Sequence, residues 1–311
     1  MKEIGGYFGL EAFSGREYHD TLIAVNSGRN ALAYLLKARN IRKLYIPYFL
    51  CNSVSGVCQR EGCSVEYYHI GKDFHPIFDK QLSDDEWIYV VNFYGQILNE
   101  QAVAMKYRWK NILFDNVQAF FQLPVDGIDT IYSCRKFFGV PDGGYISTNA
   151  VLNQPFPVDE SRNRMKHILG RFECSASEYY ADFKDNDHSF VDLPLRGMSM
   201  LTHNLLRAVD YDMVRKIRNE NYASLARVLD ETNSLDPVTP DGPYCYPYYC
   251  RNGMELKKRL AEKKIYVATL WPNVLKCDGT LEKDYAENIL PLPCDQRYDV
   301  NDMQRIAAAL L

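Results

Sequence analysis

Apolar and polar positions alternate at two periods through the first half of the chain. Short β-rich runs predict strands: TLIAV (21–25), KLYIPYF (43–49), SVEYYHI (64–70), WIYVVNFY (87–94), NILFD (111–115) and DTIYS (129–133). Between them GRNALAYLLKARN, SVSGVCQREG and LNEQAVAMKYRW have helical length, with apolar residues returning at three- and four-residue steps. Strand, helix, strand, helix predicts an α/β fold whose mostly parallel sheet is covered by helices on both faces. The stretch from about 150 to 195 begins as a loop and turns polar and helical. Residues 201–231 predict one long amphipathic helix between two domains, with Leu205, Val209, Val214, Ile217, Tyr222, Leu225 and Leu229 near one stripe. After the turn-rich SLDPVTPDGPYCYP (234–247), the pattern predicts a short strand, the helix MELKKRLAEKK, the strand IYVATL and the closing helix VNDMQRIAAALL. The expected division is a large domain over 1–233 and a small C-terminal α/β domain over 234–311.

Composition narrows the partners. At 311 residues the chain has length for a sizeable core and a second, smaller unit. Its formal net charge is −4, and no run of five like charges occurs, so it lacks the basic stripe that neutralises phosphates and nucleic acid is not an expected partner. No stretch of about 18 apolar residues occurs, and the opening MKEIGGYFGLEAF has neither the apolar core nor the cleavage site of a signal peptide. The expectation is a soluble cytoplasmic protein with no membrane partner. Nine cysteines without a C-x-x-C pair, and six histidines without ligand spacing, predict no metal and mostly buried, unreactive thiols.

Candidate chemistry sits at three stations. In VNSGRNAL (25–32), Gly28, Arg29 and Asn30 follow a strand and open a helix, whose free N–H groups and positive dipole end suit a phosphate; a purely structural strand-to-helix turn reads equally from these letters. In ILFDNVQAFF (112–121), Asp115 ends an apolar run and so lies at the carboxyl edge of a sheet, where open α/β folds bind ligands; the alternative is an N-cap, with Gln118 its reciprocal partner or a ligand donor. Twenty-one residues on, Lys136 follows DTIYS and precedes Gly143–Gly144, with Ser133 close enough to share a phosphate. Phosphate turn, aspartate at a strand end, then lysine is the layout needed to bind pyridoxal 5'-phosphate. That cofactor needs an amine for a Schiff base, a carboxylate to keep its pyridine nitrogen protonated, and an anion cradle. The amine must be neutral to attack a carbonyl, so burial and a neighbouring cation such as Arg135 are expected to lower its pKa.

On these residues the chain resembles the DegT-type sugar aminotransferases, which are fold-type I pyridoxal phosphate enzymes. The family's G-T-x-A-L turn is similar to Gly28 through Leu32, its V-P-x-F segment to Ile46 through Phe49, and its E-D-x-x-Q motif to Phe114 through Gln118. The lysine motif resembles Lys136 with Gly143–Gly144, the distal R-x-x-x-A-x-x-Y is echoed from Arg218 to Leu225, and the terminal L-P-L matches Leu290 to Leu292. The resemblance implies that Lys136 holds the cofactor covalently and shuttles a proton, that Asp115 pairs with the pyridine nitrogen, and that Gln118 faces the ring hydroxyl. It gives the phosphate to Gly28, Arg29, Asn30 and Ser133, and the substrate border to Phe93 and Tyr94. The implied activity is ping-pong transfer of an amino group from a glutamate-like donor to a nucleotide-linked keto sugar, in a homodimer with shared active sites. In the dehydratase branch of the family the lysine is replaced, so Lys136 argues for transamination. Ile131 stands where the family has its phosphate-binding serine, and Cys51 where it has the ring that stacks on the cofactor; these departures keep open another substrate, or a degenerate binding or regulatory protein.

Overall fold

The computed structural model describes residues 4–277 and 279–311. Its first half is built on β1 (Ile23–Val25), β2 (Lys43–Pro47), β3 (Ser64–Ile70), β4 (Pro76–Ile77), β5 (Glu86–Val91), β6 (Ile112–Asp115), β7 (Asp129–Ser133) and β8 (Gly144–Ser147). These form one eight-stranded sheet in the order β1-β8-β7-β6-β5-β2-β3-β4. Strands β3, β2, β5, β6 and β7 run parallel, while β4, β8 and β1 pair antiparallel with their neighbours. The crossovers α1 (Gly28–Ala38), α2 (Asn52–Arg60) and α3 (Asn99–Arg108) supply the covering layers. All of β6 and nearly all of β5 are buried, as continuous apolar strands in a doubly covered parallel sheet must be.

The second half carries α4 (Lys166–Glu173) and α5 (Tyr180–His188) in the polar spacer, then α6 (Met200–Leu206) and α7 (Tyr211–Leu229). The single helix expected over 201–231 is therefore two. Asp210 breaks it: its carboxylate accepts the Met213 N–H at 3.0 Å and caps α7, so a local side-chain bond outweighs the continuing apolar stripe. Beyond lie β9 (Tyr246–Tyr249), α8 (Gly253–Glu262), α9 (Leu281–Asn288), β10 (Ile289–Leu292) and α10 (Val300–Leu310). The strand expected at 265–270 does not form, and the antiparallel partner of β9 is β10, with Tyr248 opposite Leu290. β8 went unforeseen: four residues beginning with glycine carry too little pattern.

Two further apolar clusters stand beside the main core. Tyr222, Leu225 and Leu229 of α7 pack with Tyr246, Leu260, Leu290 and Ile306, so α7 joins the C-terminal elements although the sequence placed it before residue 233. The other cluster, including Phe120, Tyr132 and Tyr145, lies on the β7–β8 side of the sheet. All nine cysteines are free, and no helix among the described residues is long and apolar enough to cross a membrane.

His19 sits among Phe120, Tyr132 and Tyr145 with ring centroids 4.3 to 5.5 Å away. Its Nε2 donates to Phe120 O at 2.8 Å. Burial pushes its pKa down to about 4, against the weaker pull of that carbonyl. The unfolded chain therefore takes up a proton near pH 6.5 that the folded chain refuses until about pH 4. Stability contributed by the neutral ring is complete above pH 6.5 and lost as pH falls toward 4, a change of about 3 kcal/mol. Urea unfolding between about pH 7 and 4.5 will show a steeper loss for the wild type than for His19→Gln; parallel curves would remove His19 from the account.

Candidate functional site

Neighbouring parallel strands end together, and this brings the three stations to one edge. Asp115, last in β6, lies opposite Ile131 of β7 in the register, five residues before Lys136. A Cβ built on Gly28 would lie 3.5 Å from Val117 Cγ1, so the first turn of α1 abuts the loop after β6. Lys136 closes a short 3-10 turn, Cys134–Lys136, fixed by Cys134 N–H donating to Gly143 O at 3.1 Å. Gly143 and Gly144 serve the chain rather than a ligand. A Cβ on Gly143, at φ 116°, would meet Cys134 and Thr202 at 3.1 Å, and one on Gly144 would meet Tyr132 O at 2.8 Å and Ser27 C at 3.0 Å. The pair lets β8 press against the Ser27–Gly28 turn.

Asp115 is buried, with Oδ1 accepting the Val117 N–H at 2.8 Å and Oδ2 accepting the Tyr89 hydroxyl at 2.5 Å. Burial raises its pKa above the ordinary carboxylate value, opposed by the charge of Lys136 and by those two bonds. Lys136 is exposed to solvent, although the protein around it is dense enough to make burial the largest influence on its amine. Its Nζ lies 5.9 Å from the centroid of the Tyr244 ring. Burial lowers the amine's pKa below that of an ordinary lysine; Asp115, Cys51 and Asp187 oppose this, and Arg29 adds to it.

Other predicted residues fall into two groups. Cys51 and Arg29 join the cluster around Lys136. Ser133 lies half-buried at the end of β7, opposite Gly144. Gln118 is buried, and its Oε1 accepts the Tyr94 N–H at 2.7 Å. Asn30 is tied into the turn, its amide donating to Asn26 Oδ1 at 2.7 Å and Pro194 O at 2.9 Å. Phe93 and Tyr94 are buried in an aromatic nest with Trp271 and Phe74, so neither ring is open to a ligand. Ile131 is buried in β7 and cannot take an anion.

Four residues escaped the sequence reading. Tyr89 is one of two aromatics in β5, with Trp87, and no pattern distinguishes it, and Tyr244 lies in a turn-rich stretch without a motif. Arg218 was noted only in a loose pattern; buried, it donates to Phe137 O at 3.2 Å, Pro243 O at 2.7 Å and Gln296 Oε1 at 2.8 Å, stapling the turn after Lys136 to the loop bearing Tyr244. Asp187, on the polar helix α5, accepts from Arg29 Nη1 and Nη2 at 3.4 and 3.3 Å and from Arg135 Nη1 at 3.2 Å. Cavities of about 390 and 430 Å³ lie elsewhere, one at the opposite sheet edge beside Arg39 and Asp129, the other beside Glu17 and His203; neither is lined by Lys136 or Asp115.

No protein-family model matches the sequence, and no curated protein matches it. Solved structures do match. Over 93% of its length the chain aligns with 84% of a DegT DnrJ EryC1 StrS aminotransferase from Brucella abortus, at a TM-score of 0.62 and 15% identity. The chain has the fold of the DegT-type, fold-type I aminotransferases. It also aligns over 96% of its length with 77% of NtdA from Bacillus subtilis, solved with bound cofactor PMP, at a TM-score of 0.66 and 15% identity. GDP-4-keto-6-deoxy-D-mannose-3-dehydratase from E. coli, with bound hydrated PLP, aligns over 93% of this chain and 87% of its own, at 0.62 and 13%. Transaminases and a dehydratase thus share this architecture.

Competitive labelling with an amine-selective acylating reagent tests the electrostatics directly. Lys136 is expected to titrate below the other exposed lysines. Asp115→Asn will move it lower still, by removing the charge that favours the ammonium, and Arg29→Gln will move it higher. A Lys136 titration unmoved by either change would show that these groups do not sense one another.

Proposed function

We propose that the chain is a pyridoxal 5'-phosphate-dependent aminotransferase, carrying an amino group from a glutamate-like amino acid to a nucleotide-linked keto sugar. The observation that carries this reading is the amine of solvent-exposed Lys136, its pKa lowered, with the buried carboxylate of Asp115 acting on it. Those residues fit the cofactor. A burial-raised carboxylate is brought back to its charged form by a protonated ring nitrogen, and a lysine that sheds its proton easily suits attack on an aldehyde. Gly28 and Arg29, at the N-terminal turn of α1, present N–H groups and a cation to a phosphate.

When bound, the cofactor supplies an electron sink and carries nitrogen between two substrates. Lys136 provides the nucleophilic amine and, once released, the base that moves a proton. Asp115, braced by Tyr89 and Val117, would hold a proton on the ring nitrogen. Gln118, its oxygen engaged by the Tyr94 N–H, would have its NH2 left to donate to a ring oxygen. Tyr244 bounds the space over the amine. Two copies of the chain sharing their active sites complete the reading, and the presence of Lys136 favours transamination over dehydration.

Borohydride reduction of the protein with pyridoxal 5'-phosphate, followed by peptide mapping, is expected to place the cofactor on Lys136, with no adduct in Lys136→Ala. An adduct on another lysine would overturn the site. With the adduct confirmed, glutamate should convert the wild type to its amino form, and Asp115→Asn should slow that half-reaction by about a hundredfold or more.

A further inference from the structure

The cations near Lys136 already hold an anion that the chain itself supplies. Arg135 is 14% exposed at its side chain, and its guanidinium lies 4.7 Å from the centroid of the buried Phe190 ring, with Arg164 4.9 Å from the same ring. Burial pulls the pKa of Arg135 down, as a cation with too little water requires an anion close by. Arg29 is the second residue of α1. Ser27 caps that helix by accepting the Asn30 N–H, which leaves the Gly28 and Arg29 N–H groups at its open end. One carboxylate serves both guanidiniums, that of Asp187.

The bonds holding it are loose. At 3.2 to 3.4 Å they exceed the usual ~2.7–2.9 Å of charge-assisted pairs. The tight fork elsewhere in this protein, from Arg39 to Asp129, spans 2.7 and 2.8 Å. Asp187 is also 47% exposed at its side chain, more than either arginine. Two cations facing one long-bonded, half-wet monoanion leave a net positive charge, and three phosphate oxygens would satisfy the two guanidiniums and the helix N–H groups better than one carboxylate does. Release needs no helix movement: Asn186, the preceding residue, anchors α5 by donating to Pro141 O at 3.0 Å, so rotation of the Asp187 side chain suffices. Burial raises the Asp187 carboxyl, but Arg29 and Arg135 outweigh it and keep it below its ordinary value, so it stays an anion near neutrality.

We propose that Arg29 and Arg135 form the phosphate seat of this chain and that Asp187 is an internal counter-anion occupying it, which the cofactor's phosphate must displace. This rests on the cofactor reading above. It makes Asp187 a positioning residue that lowers cofactor affinity while keeping the arginines apart and oriented. It also accounts for the buried Ile131 in β7, since the seat then lies on guanidiniums rather than on a strand hydroxyl.

The test uses the full chain as wild type, Asp187→Asn, Arg135→Gln and Arg29→Gln, with folding checked by urea unfolding. Binding of inorganic phosphate is read by calorimetry, and that of pyridoxal 5'-phosphate, pyridoxal and uridine diphosphate by fluorescence quenching. Asp187→Asn is expected to tighten phosphate and pyridoxal 5'-phosphate by about tenfold and leave pyridoxal unchanged, and each arginine variant to weaken the two phosphates by a similar factor. Equal or weaker phosphate binding in Asp187→Asn, or an equal gain for pyridoxal, would overturn the proposal. So would a gain for uridine diphosphate without one for pyridoxal 5'-phosphate, which would give the seat to the substrate. Tighter inorganic phosphate with no cofactor on Lys136 sinks the cofactor reading and leaves the seat; cofactor on Lys136 with no effect of Asp187→Asn does the reverse.

Discussion

The parallel pairing of β6 with β7 is the constraint on which the rest depends. It ends two strands at one level, so an aspartate closing the first and a lysine just past the second face a common space. Antiparallel pairing of these strands would send their ends to opposite sides of the sheet, and no loop of this length could reunite the two side chains. The helical crossovers of a doubly covered sheet therefore do more than bury apolar surface.

Bringing an amine and a carboxylate out of bulk water penalises both charged forms. The structure answers differently at each. Asp115 is braced by a phenol and a backbone N–H, which hold its oxygens in place without neutralising them. Lys136 keeps contact with solvent and has a ring, a thiol and opposing charges around it, but none of these is a close ion-pair partner. An amine left unpaired in this way is free to react. The arginines nearby are the reverse case, cations that cannot shed their protons and so recruit a carboxylate from α5.

Rigidity comes from outside the cleft. Arg218, with acceptors on the turn after Lys136, on Pro243 and on Gln296, ties the C-terminal elements to the sheet edge. Tyr94 holds a left-handed backbone, φ 57°, that a bulky residue adopts at a cost of about 1–3 kcal/mol. Its aromatic packing and the bond to Gln118 hold it there. Strain of this kind, kept by burial, fixes the backbone beside Gln118 to one geometry.

What the sequence determined by itself was the alternation of strand and helix, because burial on two faces writes continuous apolar runs that survive without any partner. It also marked Asp115 and Lys136, since each follows such a run, and the family likeness named chemistry for them. It could not announce the break at Asp210, the pairing of β9 with β10, or the enclosure of Phe93 and Tyr94, which are settled by competition between a local cap, an available strand and an aromatic core. Asp187 shows the limit most plainly. It sits on a polar, solvated helix whose pattern says only that water is near, and its bonds to Arg29 and Arg135 span 158 and 52 residues. Charge acts through space, so only the tertiary structure decided which carboxylate would meet those guanidiniums.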